Sequence, residues 1–162
     1  MVQCSKTVME AIDLAMAAEQ KASDFYTTAA ARVSSARGRQ LFLQLSEFEQ
    51  GHFHSLAKLK DSLAGKGCFI SYGGTSFTPI SVEGDALEIS GEEKKDIADI
   101  LTMAIKNEKS AGAAYTKLAA EVDDPAGVEM FKRLAEEEAQ HARILEDQFY
   151  DISNKGMWTW DA

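Results

Sequence analysis

Apolar residues recur in steps of three and four along four long stretches of the chain, as they do in helices that bury one face. No stretch shows the strict alternation that is typical of a half-buried strand. The pattern therefore predicts an all-α protein. The predicted helices run over Ser5–Val33, Arg37–Ala64, Ser90–Val122 and Ala126–Ile152.

The segments between the predicted helices differ in length. A Ser34-Ser35 turn links the first two helices, and Asp123-Asp124-Pro125 breaks the chain between the last two. The middle connection, 65–90, is rich in Gly, Ser, Thr and aromatic residues and has no helical period. It is long enough to cross the bundle. Ser90 and Glu93 form a capping-box pattern at the start of the third helix.

The buried face of each helix is interrupted by charged or ionisable residues at one place. The first and third helices each carry one Glu there, and the second and fourth each carry Glu-x-x-His. The interrupting residues are Glu19, Glu49, His52, Glu108, Glu138 and His141.

The two halves of the chain repeat with a shift of 89 residues, which aligns all six of these positions. Gly38 also falls on Gly127 and Tyr26 on Tyr115. We interpret this as a duplicated antiparallel helical hairpin. The sequence thus predicts one domain over 1–153, with a crossover at 65–90, and a short tail over 154–162.

Hairpin geometry predicts that the six interrupting residues meet. Each single Glu and the Glu/His pair that follows it are equidistant from their turn, so they lie side by side in an antiparallel pair. Burying four unpaired carboxylates would cost several kcal/mol for each group, and no Lys or Arg lies on these faces. Two divalent cations would balance the charge. Glu and His ligands suit iron and manganese, and zinc would also bind.

Composition and charge exclude several classes of protein. The 162 residues include 17 Lys and Arg against 26 Asp and Glu, a net charge of −9, which argues against nucleic-acid and polybasic membrane binding. No apolar run approaches 18 residues, so we expect no membrane span. Glu10 and Asp13 interrupt any N-terminal apolar run, so we expect no secretory signal and a cytoplasmic protein.

The two cysteines, Cys4 and Cys68, are far apart and form no CxxC pair. A zinc ribbon or a rubredoxin-type iron site is therefore excluded for these residues. Two free thiols in a reducing compartment are the preferred interpretation, with a single disulfide as the alternative.

The doubled motif resembles the di-metal carboxylate bundles of the ferritin-like superfamily, which use one Glu from each of two helices and Glu-x-x-His from the other two. The two Glu-x-x-His motifs are Glu49-Gln50-Gly51-His52 and Glu138-Ala139-Gln140-His141. Ala18-Glu19-Gln20-Lys21, Phe25-Tyr26 and the run 134–138 are most similar to the rubrerythrin branch. The resemblance implies a ferritin-like four-helix bundle with two iron ions held by the six interrupting residues, Glu49 and Glu138 bridging them.

The resemblance also implies an oxidoreductase that reduces peroxide or dioxygen. Unlike rubrerythrins, the chain has no CxxC pairs, so a separate rubredoxin-like electron donor is expected. It has Ala111 where rubrerythrins carry an extra Glu. It has Gln50 where bacterioferritins carry a haem-ligating Met, so we expect no haem. We expect a homodimer. The alternatives are a ferroxidase of an iron-storage assembly and a metal-binding bundle without turnover.

Some residues have two interpretations at this point. Tyr26 and Tyr115 are either donors to the carboxylates, with a role in catalysis, or plain core aromatics. Trp158 and Trp160 anchor either the tail or a dimer contact. We expect four further residues outside the buried faces to be solvated, namely Glu47, His54, Glu136 and Glu137.

Overall fold

A computed structural model describes residues 6–74, 77, 79 and 89–160. It contains four helices and, among these residues, no strand. In the same residues no helix is long and apolar enough to cross a membrane. The helices are α1 (Lys6–Arg32), α2 (Ala36–Gly65), α3 (Gly91–Glu121) and α4 (Pro125–Lys155).

The helix ends follow local sequence signals. Ser35, Ser90 and Asp124 are the N-cap residues of α2, α3 and α4, and each accepts hydrogen bonds from backbone N–H groups of the first turn. Helix α4 ends three residues beyond the predicted Ile152. Gly156 stops it there with φ of 72°, a left-handed conformation that suits glycine. The predicted start at Ser5 lies outside the described residues.

Glu93 does not complete the predicted capping box. Ser90 accepts a hydrogen bond from the Glu93 amide at 3.3 Å, as that pattern requires. The Glu93 carboxylate instead accepts hydrogen bonds from the amide of Ser34 at 2.8 Å and from its hydroxyl at 2.6 Å. Glu93 therefore ties the turn between α1 and α2 to the first turn of α3, a contact between hairpins.

The helices pack most closely as the pairs α1–α2 and α3–α4, and α1 also contacts α3. In every helix the interrupting Glu or Glu/His pair lies between residues of two hydrophobic clusters, one towards each end of the bundle. The polar groups thus form one buried layer between two apolar regions. The predicted ferritin-like four-helix bundle of two antiparallel hairpins is confirmed.

The connections close the bundle with aromatic rings. Trp158 and Trp160 are buried, so the tail is anchored on the protein's own core. Trp158 lies on Gly38, where a Cβ atom would come within 2.6 Å of the indole ring. Phe69 of the crossover lies in the same way on Gly127, where a Cβ atom would come within 2.7 Å of the phenyl ring. The two aligned glycines make room for these rings.

Candidate metal centre

The six interrupting residues form one cluster in the middle of the bundle, and none is more than 3 % exposed. Their ligating atoms form two groups of four, and within each group all the atoms lie within 4.8 Å of one another. Glu49 and Glu138 belong to both groups. The geometry is that of two adjacent cation positions that share two carboxylates. One group contains Glu19, Glu49, His52 and Glu138, and the other contains Glu49, Glu108, Glu138 and His141.

Each histidine directs Nδ1 towards three carboxylates. Nδ1 of His52 lies 3.4 Å from Glu19, 3.5 Å from Glu49 and 3.1 Å from Glu138. Nδ1 of His141 lies 3.2 Å from Glu49, 3.5 Å from Glu108 and 3.3 Å from Glu138. Among the described residues, these two histidines are the basic side chains within ion-pair distance of the four carboxylates. No described Lys or Arg side chain lies close enough to neutralise the carboxylates.

Several polar atoms of the cluster are buried without a hydrogen-bond partner among the described residues. They are Oε1 of Glu49, Oε2 of Glu138 and both ring nitrogens of His141. The carboxylates near His141 Nδ1 are close enough for an ion pair, but their directions do not satisfy a hydrogen bond. Orphaned buried polar atoms are rare in proteins. Carboxylate oxygens and imidazole nitrogens in this arrangement fit a pair of divalent cations.

The four carboxylates fall into two pairs according to the direction in which their pKa values are shifted. Burial raises the pKa of Glu49 to about 8, helped by the negative charge of Glu108, and burial also raises the pKa of Glu138. Burial acts in the same direction on Glu19 and Glu108, but hydrogen bonds from neighbouring Glu and His groups outweigh it. They hold the pKa of Glu19 at about 2 and lower that of Glu108. Without cations, burial thus favours proton uptake at the shared carboxylates, whereas the outer carboxylates favour ionisation.

The histidines also favour their protonated forms. Burial acts to lower the pKa of His52 and His141, but the carboxylates that surround each ring raise the pKa of both well above the usual value. Protons on Glu49, Glu138 and the two imidazoles thus offset the negative charge of the cluster. Cations can replace these protons, because metal binding requires deprotonated ligands.

The two tyrosines are donors to the carboxylates rather than plain core aromatics. The hydroxyl of Tyr26 on α1 donates to Oε1 of Glu108 on α3, and that of Tyr115 on α3 donates to Oε1 of Glu19 on α1. Burial and nearby carboxylates raise the pKa of both phenols, so they stay protonated. Each hairpin therefore supplies the tyrosine that supports the other hairpin's outer Glu.

The expectation that Glu137 is solvated is wrong. Its side chain is 5 % exposed, and its Oε2 lies 2.9 Å from Nε2 of His52. Tyr72, in the crossover, donates a hydrogen bond of 2.5 Å to the same oxygen. The helical pattern places Glu137 beside the buried face, but the crossover that covers it has no period from which its path could be predicted. Glu47, His54 and Glu136 are exposed, as expected.

His141 is in contact with aromatic rings, whereas His52 is in contact with the Glu137 carboxyl group. Phe48 lies edge-on to the His141 ring with centroids 4.7 Å apart, and Phe77 lies 5.3 Å away. Phe77 in turn stacks on Trp160, whose indole N–H donates to Gln44 at 2.8 Å. The histidine side of the centre is therefore closed by the crossover and the tail.

The carboxylate side of the centre faces a cavity between α1 and α3. Its volume is about 430 Å³, and its lining includes all four carboxylates and both tyrosines but neither histidine. Ala111, at the position where rubrerythrins carry an extra Glu, lines this cavity. Cys68 is an exposed free thiol, and Cys4 lies outside the described residues.

Comparisons with known proteins agree with this geometry. Residues 99–156, most of the second hairpin, match the rubrerythrin family model. A hypothetical protein of Pyrococcus furiosus has the same fold, with a TM-score of 0.74, 24 % sequence identity, and coverage of 98 % of this chain and 96 % of that chain. No curated protein sequence matches the chain. The rubrerythrin resemblance is confirmed for the second hairpin, and the fold for nearly the whole chain.

Proposed function

We propose that the protein is a non-haem di-iron oxidoreductase that reduces peroxide, with dioxygen as the alternative oxidant. The observation that carries this proposal is the convergence of four buried carboxylates and two imidazoles, with unpartnered donor atoms, into two adjacent positions that share Glu49 and Glu138. Iron is the metal implied by the rubrerythrin match, while manganese and zinc also suit these ligands. Bound as a di-ferrous pair, iron would supply the two electrons that cleavage of an O–O bond requires.

The chain's own residues would orient ligands, hold protons and exclude water. Glu137 accepts from His52 and Tyr72 and so fixes the orientation of the imidazole, as carboxylate partners of ligating histidines do. Tyr26 and Tyr115 keep their phenol protons and donate hydrogen bonds to the outer carboxylates Glu108 and Glu19, next to the cavity. The hydrophobic clusters on both sides shield this layer from bulk water except at the cavity, which strengthens its electrostatic interactions.

Electrons would come from a separate, rubredoxin-like carrier, because the 162 residues contain no CxxC pair. The isolated protein should therefore oxidise its iron once for each loading and then stop. Addition of a reduced rubredoxin should restore turnover.

The test of this function is stopped-flow mixing of di-ferrous protein with hydrogen peroxide and, separately, with dioxygen. Oxidation by peroxide at least about tenfold faster, without mineral formation under excess ferrous iron, supports the proposal. Faster reaction with dioxygen and continued mineral growth would indicate a ferroxidase. No oxidation by either would leave a metal-binding bundle. Glu138→Ala, which removes a shared ligand, is the control for iron outside the centre.

A further inference from the structure

The cavity between α1 and α3 is larger and less polar than hydrogen peroxide needs. A water molecule in the liquid takes up about 30 Å³, and hydrogen peroxide is only slightly larger, whereas the cavity measures about 430 Å³. This volume is within the range of pockets that bind small organic ligands. The cavity therefore has room for a ligand with more atoms than hydrogen peroxide.

The walls of the cavity are formed mostly by methyl groups and aromatic rings. Alanines of α1 and α3 face each other across it and leave the space that larger side chains would fill, and the ring of Phe25 adds to the apolar surface. Some of these alanines are exposed, so the cavity opens to solvent at one end. The wall alanines are Ala15, Ala18 and Ala22 of α1 and Ala111 and Ala114 of α3.

The floor of the cavity is polar. Glu49 and Glu138 lie there, fully buried, and each has a carboxylate oxygen without a hydrogen-bond partner among the described residues. The opposite side of the centre is covered by Phe48, Phe77 and Tyr72. A molecule therefore approaches the carboxylates through the apolar cavity.

We propose that this cavity binds the apolar group of an organic hydroperoxide and directs its O–O group towards Glu49 and Glu138. This inference rests on the proposed function and names its substrate class. The hydroperoxide ROOH takes up two electrons and two protons, its O–O bond breaks, and an alcohol ROH and water form. A di-ferrous pair held by the six ligands would supply the electrons, and the external donor would return two electrons to the oxidised pair. The protons come from solvent.

The first test measures binding without turnover. Cumyl alcohol, the product of cumene hydroperoxide, is titrated calorimetrically into zinc-loaded protein. We expect saturable binding that weakens at least about tenfold in Ala22→Leu and Ala111→Leu, which fill the cavity. Ala17→Leu and Ala113→Leu, exposed positions on the same two helices and outside the lining, should bind within about twofold of the native protein.

Zinc stoichiometry and the melting temperature show whether each variant is folded. If Ala22→Leu or Ala111→Leu misfolds, Ala114→Leu at the exposed end of the cavity replaces it. The absence of binding to the native protein, or equal binding by cavity and control variants, overturns the proposal. The proposal is also overturned if the cavity is a dimer interface. Dissociation of the native dimer in Ala111→Leu would show this.

The second test compares two oxidants on di-ferrous protein. In Ala111→Leu, oxidation by cumene hydroperoxide should slow at least about tenfold more than oxidation by hydrogen peroxide, which is small enough to pass the narrowed cavity. Equal slowing of both would contradict the proposal. If no peroxide oxidises native di-ferrous protein, the proposed function fails, and the alcohol titration still reports on the cavity. If hydrogen peroxide reacts but cumyl alcohol does not bind, the substrate class alone is wrong.

Discussion

The first hairpin, α1 and α2, and the second, α3 and α4, carry the same polar groups 89 residues apart. Both supply an outer Glu, a shared Glu and a His to the central layer. Both supply a tyrosine that donates to the outer Glu of the other hairpin. In both, an aromatic ring lies on the aligned glycine, Trp158 on Gly38 and Phe69 on Gly127.

The hairpins differ at the residue before the shared Glu. This residue is Phe48 in α2 and Glu137 in α4. Glu137 contacts His52 through Nε2, whereas Phe48 lies edge-on to His141, whose Nε2 has no hydrogen-bond partner in the described residues. The ligand set is thus nearly symmetric, while its surroundings are not. The Glu137 carboxyl group supports His52 as a ligand, and His141 receives no such support from the described residues.

The largest effect should come from the residues that both cation positions share. Glu49→Ala and Glu138→Ala each remove a ligand from both positions, so each should reduce binding from two ions per chain to one or none. Metal analysis after anaerobic reconstitution with ferrous iron measures this. His54→Ala changes an exposed residue and should still bind two ions. Equal losses in all three variants would show that the assignment of the centre is wrong.

The metal-free protein should become less stable as pH rises, because its buried centre then loses protons that stabilise the folded state. The pKa of Glu49 is raised from 4.5 to about 8, so its contribution is present at low pH and is lost as pH rises through about 8. Glu138 and both histidines act in the same direction, while the contributions of Glu19 and Glu108 are lost only in acid.

The melting temperature of the apo protein should therefore fall between pH of about 6 and 8.5. That of zinc-loaded protein should fall less, because the cations take the place of the protons. Glu49→Gln imitates the protonated group and should flatten the apo curve. Parallel curves for apo and loaded native protein would contradict a buried centre that exchanges protons for metal.

The difference between Phe48 and Glu137 can be tested by removing one charge. Glu137→Gln keeps the shape of the side chain and should weaken one of the two cobalt-binding steps about 10- to 100-fold, the usual cost of losing the carboxylate partner of a ligating histidine. The second step should change much less. Titration followed by the visible absorption of cobalt measures both steps. Glu136→Gln, on the neighbouring exposed residue, should leave both steps unchanged, and equal weakening of both steps in Glu137→Gln would mean that the two positions are equivalent.

The smallest effect tests a feature that the hairpins share. Gly38→Ala and Gly127→Ala would drive a methyl group into Trp158 and Phe69, so each should lower stability by about 1–2 kcal/mol. For a chain of this size that is a fall in melting temperature of about 2–8 °C. Gly51→Ala, where no atom lies near the added Cβ, should instead stabilise the helix by roughly 0.5–1 kcal/mol. Stabilisation by all three changes would show that the rings do not lie on these glycines.

Most of the fold was predictable because it depends on repeated local patterns. The apolar period predicted the four helices, and Ser90 and Asp124 mark helix starts by local capping. The end of α4 was predicted three residues early, although Lys155-Gly156 carries a helix-stop signal. The predicted cluster of Glu and His residues follows from helix and hairpin geometry, because equidistance from a turn depends only on residue number.

Helical periodicity and the 89-residue repeat place the six Glu and His residues at one height, so the sequence alone predicts which residues meet in the central layer. The groups around these residues depend on tertiary packing. The buried position of Glu137 depends on Tyr72, and the rings around His141 depend on Phe77 and Trp160. These residues come from the crossover and the tail, which have no periodicity, so packing against the finished bundle sets their positions. The cavity between α1 and α3 likewise depends on how far apart two helices settle, and no local pattern encodes that distance.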